Sequence, residues 1–176
     1  MHITREHHHR SRVWLDDAFC VLTQGNLAAA NAHLEEMIWK FRIFSSDMRM
    51  HFDQEEGGLF PACIALDQEM QTKAHIVNDA SILRDIHIMS AGHISARETL
   101  AELMALSRAI GLISRDSGLS LPHILGQLDL DLIEHERLED EILLPAVLFQ
   151  LDLSKSMHTS GPFNYTEDEP SPPGNS

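Results

Sequence analysis

The stretch His135-Glu136-Arg137-Leu138-Glu139-Asp140-Glu141-Ile142-Leu143-Leu144-Pro145-Ala146 decides how this chain folds, because an upstream segment nearly repeats it. The copy is His51-Phe52-Asp53-Gln54-Glu55-Glu56-Gly57-Gly58-Leu59-Phe60-Pro61-Ala62. Each runs His, three residues, Glu, three residues, Leu, a large apolar residue, Pro and Ala. On a helix, positions i and i+4 lie one turn apart on one face, so each copy aims an imidazole and a carboxylate at the same place.

The flanking residues show whether that place is solvent or core. Back from His135 at helical steps stand Leu132, Leu128 and Leu125, and forward stand Glu139 and Ile142. Back from His51 stand Met48, Phe44, Phe41, Met37 and Leu34, and forward stand Glu55 and Leu59. In both segments the His and Glu continue the apolar stripe of an amphipathic helix. Burying both pairs strips water from two carboxylates, and that requires compensating cations. A solvated His-Glu pair would be worth only about 0.3–0.5 kcal/mol and would have no reason to occupy stripe positions. Metal is the simplest compensation.

Composition sets the frame. A chain of 176 residues can build one sizeable core. Apolar residues make up 43% and aromatics 6%, with a single Tyr, which favours helices over sheet. Twenty-seven acidic side chains against 13 basic ones give a formal charge of −14, which argues against nucleic acid or an anionic membrane as partner. Two cysteines and no apolar signal segment or spanning stretch predict a cytoplasmic setting with free thiols. Neither Cys20 nor Cys63 belongs to a ligand-spaced motif, and both are read as structural.

Two further histidines join the argument by helix phase. In Glu6-His7-His8-His9-Arg10, steps from His8 reach Leu15, Ala18 or Phe19, and Leu22. His7 meets Ser11 and Asp17, and His9 meets Arg12 and Asp16, so His8 is the one on an apolar face. Downstream, His93 continues through Ala96, Leu100, Leu103 and Ile110, and backward through Met89 and Ile86. His87 meets Glu98 and Arg108, and His75 meets Asn78 and Asp79. The distances from His8 to Gly25, from His93 to Gly111 and from Leu121 to His135 are similar, as antiparallel neighbours with ligands at one level require. His93 is therefore preferred over His87, although Gly92 beside it costs about 1 kcal/mol of helix propensity relative to Ala.

These patterns predict an all-α protein, an up-down-up-down antiparallel four-helix bundle over residues 1–153. Its helices fall at about 5–24, 27–60, 82–110 and 120–149. Gly25, then Gly57-Gly58 with Pro61, and the segment 111–120 act as stops. Ser120 is an N-cap, with Pro122 in the first turn. Residues 154–176, rich in Pro, Ser and acids, are expected to form a disordered tail. His8, His51, His93 and His135, one per helix, then converge with Glu55 and Glu139 at one end of the core. Imidazole plus carboxylate suits iron, with manganese or zinc as alternatives. Two bridging carboxylates leave two imidazoles for each of two metals, and positions for a bridging oxide or hydroxide and an exogenous ligand. The set is neither the Glu-x-x-His of ferritin-like proteins nor His-Glu-x-x-His.

The duplicated His-x-x-x-Glu-x-x-x-Leu-x-Pro segments resemble those of the hemerythrin-like, or HHE cation-binding, domains, over about residues 4 to 150. The resemblance implies that His8, His51, Glu55, His93, His135 and Glu139 hold two irons, as in bacterial di-iron members, including those linked to repair of damaged iron centres. The oxygen-carrying hemerythrins use an extra His on the third helix, where this chain has Arg97, and a His-x-x-x-x-Asp on the fourth. Asp140 has that spacing from His135 and stands as the alternative to Glu139. The implied activity is binding or sensing of a small oxidant such as oxygen, nitric oxide or peroxide. The alternative is a metal-stabilised structural, storage or repair domain without ligand chemistry of its own.

Overall fold

A computed structural model describes residues 3–24, 32–72, 79–110 and 120–159. They are almost entirely helical, and no strand occurs among them. The helices are α1 (His9–Gln24), α2 (Ala32–Gln54), α3 (Phe60–Thr72), α4 (Asp79–Ile110), α5 (Leu121–Leu138) and α6 (Leu144–Thr159). Three single π-helical turns adjoin them: Thr4–His8 before α1, Glu55–Leu59 between α2 and α3, and Glu139–Leu143 between α5 and α6. Helix α1 packs on α2 and α5, α4 packs on the same two, and α3 packs on α6.

The proline stop of the sequence reading needs correcting. Pro61 does not end the second helix, and the fourth runs through Pro145 as expected. In an α-helix each ring would press on the carbonyl four residues back, and each would leave one hydrogen bond unmade. A π turn absorbs both costs. The Phe60 N–H reaches the Glu55 carbonyl and the Leu144 N–H reaches the Glu139 carbonyl, both five residues back, so each proline enters the next helix at its first turn. The chain therefore continues to Thr72 and to Thr159, past the expected ends near residues 60 and 149. The start of α5 is as expected, with the Ser120 hydroxyl accepting from the His123 N–H at 3.3 Å.

This extension moves the site. Two apolar clusters fill the interior. The larger joins Leu15, Met37, Phe41, Phe52, Leu103 and Leu125 with their neighbours, and the smaller joins Ile3, Phe60, Leu66, Ile82, Val147 and Leu151. The six His and Glu side chains lie where these clusters meet: His8 between Ile3 and Leu15, His93 between Met89 and Leu100, Glu55 and Glu139 ahead of Leu59 and Leu144, and His51 and His135 one turn before the two Glu. The phase also shifts at the third π turn, Glu139–Leu143. Ile142, expected on the buried stripe, is 56% exposed, whereas Leu144 is buried. The third main helix begins at Asp79, a little before the expected residue 82. Several other expectations lie outside the described residues: the Gly25 stop, the start of the second helix at residues 27–31, His75, the segment 111–119 and the tail from residue 160 onward.

No described helix is long and apolar enough to cross a membrane.

Candidate metal centre

Each ligand-type side chain reaches the interior for a reason written in its local sequence. His51 continues the Phe41–Phe44–Met48 stripe of α2, His135 continues Leu125–Leu128–Leu132 of α5, and His93 lies between Met89 and Leu100 of α4. Glu55 and Glu139 each open a π turn, one helical turn beyond their histidines. His8 closes the first π turn under Phe52 and Phe60, with ring centroids 4.5 and 5.7 Å away. All six are buried except His51, which is half-buried. His87 and Asp140, the open alternatives, are exposed.

The six fall into two sets that share their carboxylates. His8 Nε2 lies 3.2 Å from Glu55 Oε2 and 3.2 Å from His135 Nε2, and His135 Nε2 lies 3.0 Å from Glu139 Oε1. On the other side, His51 Nε2 lies 2.8 Å from Glu55 Oε1, and His93 Nε2 lies 3.1 Å from Glu139 Oε2. Glu55 thus presents Oε2 to His8 and His135 and Oε1 to His51 and His93, while Glu139 presents Oε1 to His135 and Oε2 to His93. The donor atoms of His8, Glu55, His135 and Glu139 lie within 4.8 Å of one another, as do those of His51, Glu55 and His93.

The His8–His135 contact is a hydrogen bond, but the short distances to the Glu55 and Glu139 carboxylates are not. Both oxygens of Glu55 and of Glu139, with Nε2 of His51 and of His93, are buried with no partner in hydrogen-bond geometry. Orphaned buried acceptors are rare and costly, so so dense a group needs an explanation. Lone pairs converging on a common point, instead of on one another's protons, satisfy a cation. The buried His/Glu cluster can hold a metal ion, and its donor set fits one.

The electrostatics agree. Burial alone would raise the Glu55 carboxyl, but His51 and His8, then the charge of His51 and His135, bring it down to about 2. Glu139 is lowered too: burial and the Glu55 charge oppose, and contacts to His135 and His93 prevail. Burial disfavours the protonated form of His135, yet Glu139, Glu55 and Glu136 together raise it. Both carboxylates are therefore ionised near neutral pH. Cys63 lies close enough to feel Glu139, and burial with that charge pushes its thiol up to about 11. A protonated thiol is a poor ligand, as its structural reading expects.

The sequence reading missed a layer of supporting groups. His7 is buried as well as His8, with Nδ1 3.0 Å from Asp131 Oδ1, while the Ser11 hydroxyl donates to Asp131 Oδ2 at 2.8 Å. Fixed α-helical phase had turned His7 away from the core, but the wider π turn separates consecutive side chains by less than an α-helix does, and both rings face inward. Asp131, one turn before His135 on the same stripe, was the legible clue. Glu136 is buried beneath an ion pair with Arg97, and His8 Nδ1 contacts Glu56 at 2.8 Å. Arg97 thus has a partner of its own on α5.

Compared with known proteins, the chain matches no family model, no curated protein and no solved structure.

Proposed function

We propose that this chain is a hemerythrin-like di-iron protein that binds or senses a small oxidant such as oxygen, nitric oxide or peroxide. In this reading α1, α2, α4 and α5 form an up-down-up-down antiparallel bundle. His8 and His135 would hold one ion and His51 and His93 a second, with Glu55 and Glu139 shared between them. The observation that carries it is the division of each carboxylate between two imidazole pairs, with all four oxygens lacking hydrogen-bond partners. Iron or manganese is preferred to zinc because two imidazoles and two carboxylate oxygens would leave a six-coordinate ion with positions to spare, and of these two only iron would give the oxidant chemistry proposed. Bound there, two irons would supply a redox-active centre, and the chain supplies burial, charge balance and a fixed spacing.

A route for an exogenous ligand favours this reading over a purely structural metal. A cavity of about 400 Å³ is lined by His51, Glu55, Leu59, Ile88 and Met89, and a second of about 310 Å³ shares His51, Gln54 and Ile88 with it. The His51 side of the centre is therefore approachable. The test is the iron-to-protein ratio of freshly purified protein, followed by absorbance on adding azide, peroxide or nitric oxide. About two irons per chain and new bands support the proposal; a loaded protein whose spectrum none of the three changes supports the structural or storage alternative.

A further inference from the structure

We propose that Glu56, held by Arg12, is a positioning residue that fixes the tautomer of His8 and makes the His8/His135 half of the centre the tighter one. The inference rests on the metal-centre reading and goes beyond it, since nothing in that reading distinguishes the two halves. The His8 ring is fully buried, so both its nitrogens must be accounted for within the protein. Nδ1 lies 2.8 Å from Glu56 Oε1, and the same oxygen accepts from Arg12 Nη1 at 2.7 Å. An ionised carboxylate only accepts, so Nδ1 must carry the proton. A metal can then be met only by the Nε2 lone pair, in the space shared with Glu55 Oε2 and His135 Nε2, each 3.2 Å away.

Arg12 is itself held in place. Its Nη2 donates to Asp53 at 2.9 Å, and its guanidinium lies 5.3 Å from the centroid of Phe52, the ring stacked on His8. Asp53, Phe52 and Glu56 all come from the first repeat, so one helix-one arginine locks this corner of the site. The second repeat has no counterpart. The position equivalent to Glu56 is Asp140, which is exposed. On the other half, His93 Nδ1 is buried with no hydrogen-bond partner, and His51 borders both cavities. A carboxylate behind a ligating imidazole fixes its orientation and raises its basicity, and losing such a partner typically costs about 10- to 100-fold in metal affinity.

The test uses the full chain, stripped of metal and titrated with zinc against a chromophoric chelator. The unaltered chain should take two zinc equivalents of unequal affinity. Glu56→Ala should weaken the tighter one by about 10- to 100-fold while the weaker stays within about threefold. Glu56→Gln, which still accepts a hydrogen bond from Nδ1–H but lacks the charge, should recover part of that loss. Nitrogen-15 NMR of the imidazoles gives a readout that mere loss of stability would not move: His8 should be protonated at Nδ1, and in Glu56→Ala that proton should exchange faster. Equal zinc affinities for Glu56→Ala and the unaltered chain overturn the inference while leaving the metal centre standing, and so does a His8 protonated at Nε2. An unaltered chain that takes no zinc removes the metal-centre reading and this inference together.

Discussion

Gly92 of α4 lies flat against the His51 ring of α2: a Cβ at position 92 would stand 3.2 Å from His51 Nδ1 and 3.5 Å from its Cε1. In the sequence this glycine looks like a weak point in a helix, because Ala there would favour the helix by about 1 kcal/mol. In the structure it is what lets the imidazole sit between α2 and α4. The two effects have opposite signs, and they separate by measurement. Gly92→Ala should leave the metal-free protein as stable as before or more so, while zinc affinity falls because His51 must give by a few tenths of an ångström. Unchanged affinity would show that the ring has room to move.

The shared carboxylates predict a loss that cannot be localised. Glu55→Ala and Glu139→Ala should each disturb both metal equivalents, since each side chain sends one oxygen to either histidine pair. Metal content by plasma emission and the visible spectrum of the iron-loaded variants are the measurements. A variant that holds one ion stably at unaltered affinity would mean that the two histidine pairs work independently.

His93→Ala should lower metal content and alter the ferric bands, because Nε2 of His93 lies 3.1 Å from Glu139 Oε2 in the buried layer. His87→Ala, on the exposed face of the same helix, should change neither. Were His93 only a core histidine, its loss would lower the melting temperature and leave the iron-to-protein ratio as it was.

Acidity should act on the metal-free and metal-loaded forms in different directions. Glu55, held down to about 2 from an ordinary 4.5, contributes stability above pH 4.5 that is lost as pH falls toward 2. His135 is raised above its ordinary 6.5, so its contribution is complete below pH 6.5 and is lost as pH climbs through the raised value. The metal-free protein should therefore be favoured by these groups between pH 4.5 and 6.5. Ligation needs neutral imidazoles, so stabilisation by metal grows as pH rises. The gap in melting temperature between zinc-loaded and chelated protein should be small at about pH 5 and largest at about pH 8. A gap that ignores pH would argue against imidazole ligands.

The stripe residues before each histidine, Leu34 to Met48 and Leu125 to Leu132, were legible in the sequence because an α-helix repeats its faces regularly. The choice of His8 over His9 and of His93 over His87 followed from the same regularity. What regularity hides is its own interruption. Pro61, six residues after Glu55, looked like a stop, since nothing short of the hydrogen-bond pattern distinguishes a helix end from a π turn. Three misreadings share that cause: the helix that runs past Pro61, the exposed Ile142, and the buried His7. Glu56 and Arg97 were missed for a different reason. A charged residue beside a stripe is usually solvated, and only the neighbouring helices show what it touches.

The position of the six side chains between two apolar clusters bears on how the molecule comes apart. Such a layer is a seam: on each side, leucines, phenylalanines and isoleucines exclude water together, while the seam between them is polar, crossed by the unbroken helix α4 and by the His8 ring stacked on Phe52 and Phe60. With no cation, two ionised glutamates face one another there, and the smaller cluster around Phe60, Leu66, Ile82 and Leu151 is free to exchange its amide protons independently of the larger one. On the metal-centre proposal a cation would tie the two clusters together, and unfolding should pass from two steps to one. The occupancy of a few buried atoms would then become a property of the whole folding unit, and resistance to proteases would follow metal supply.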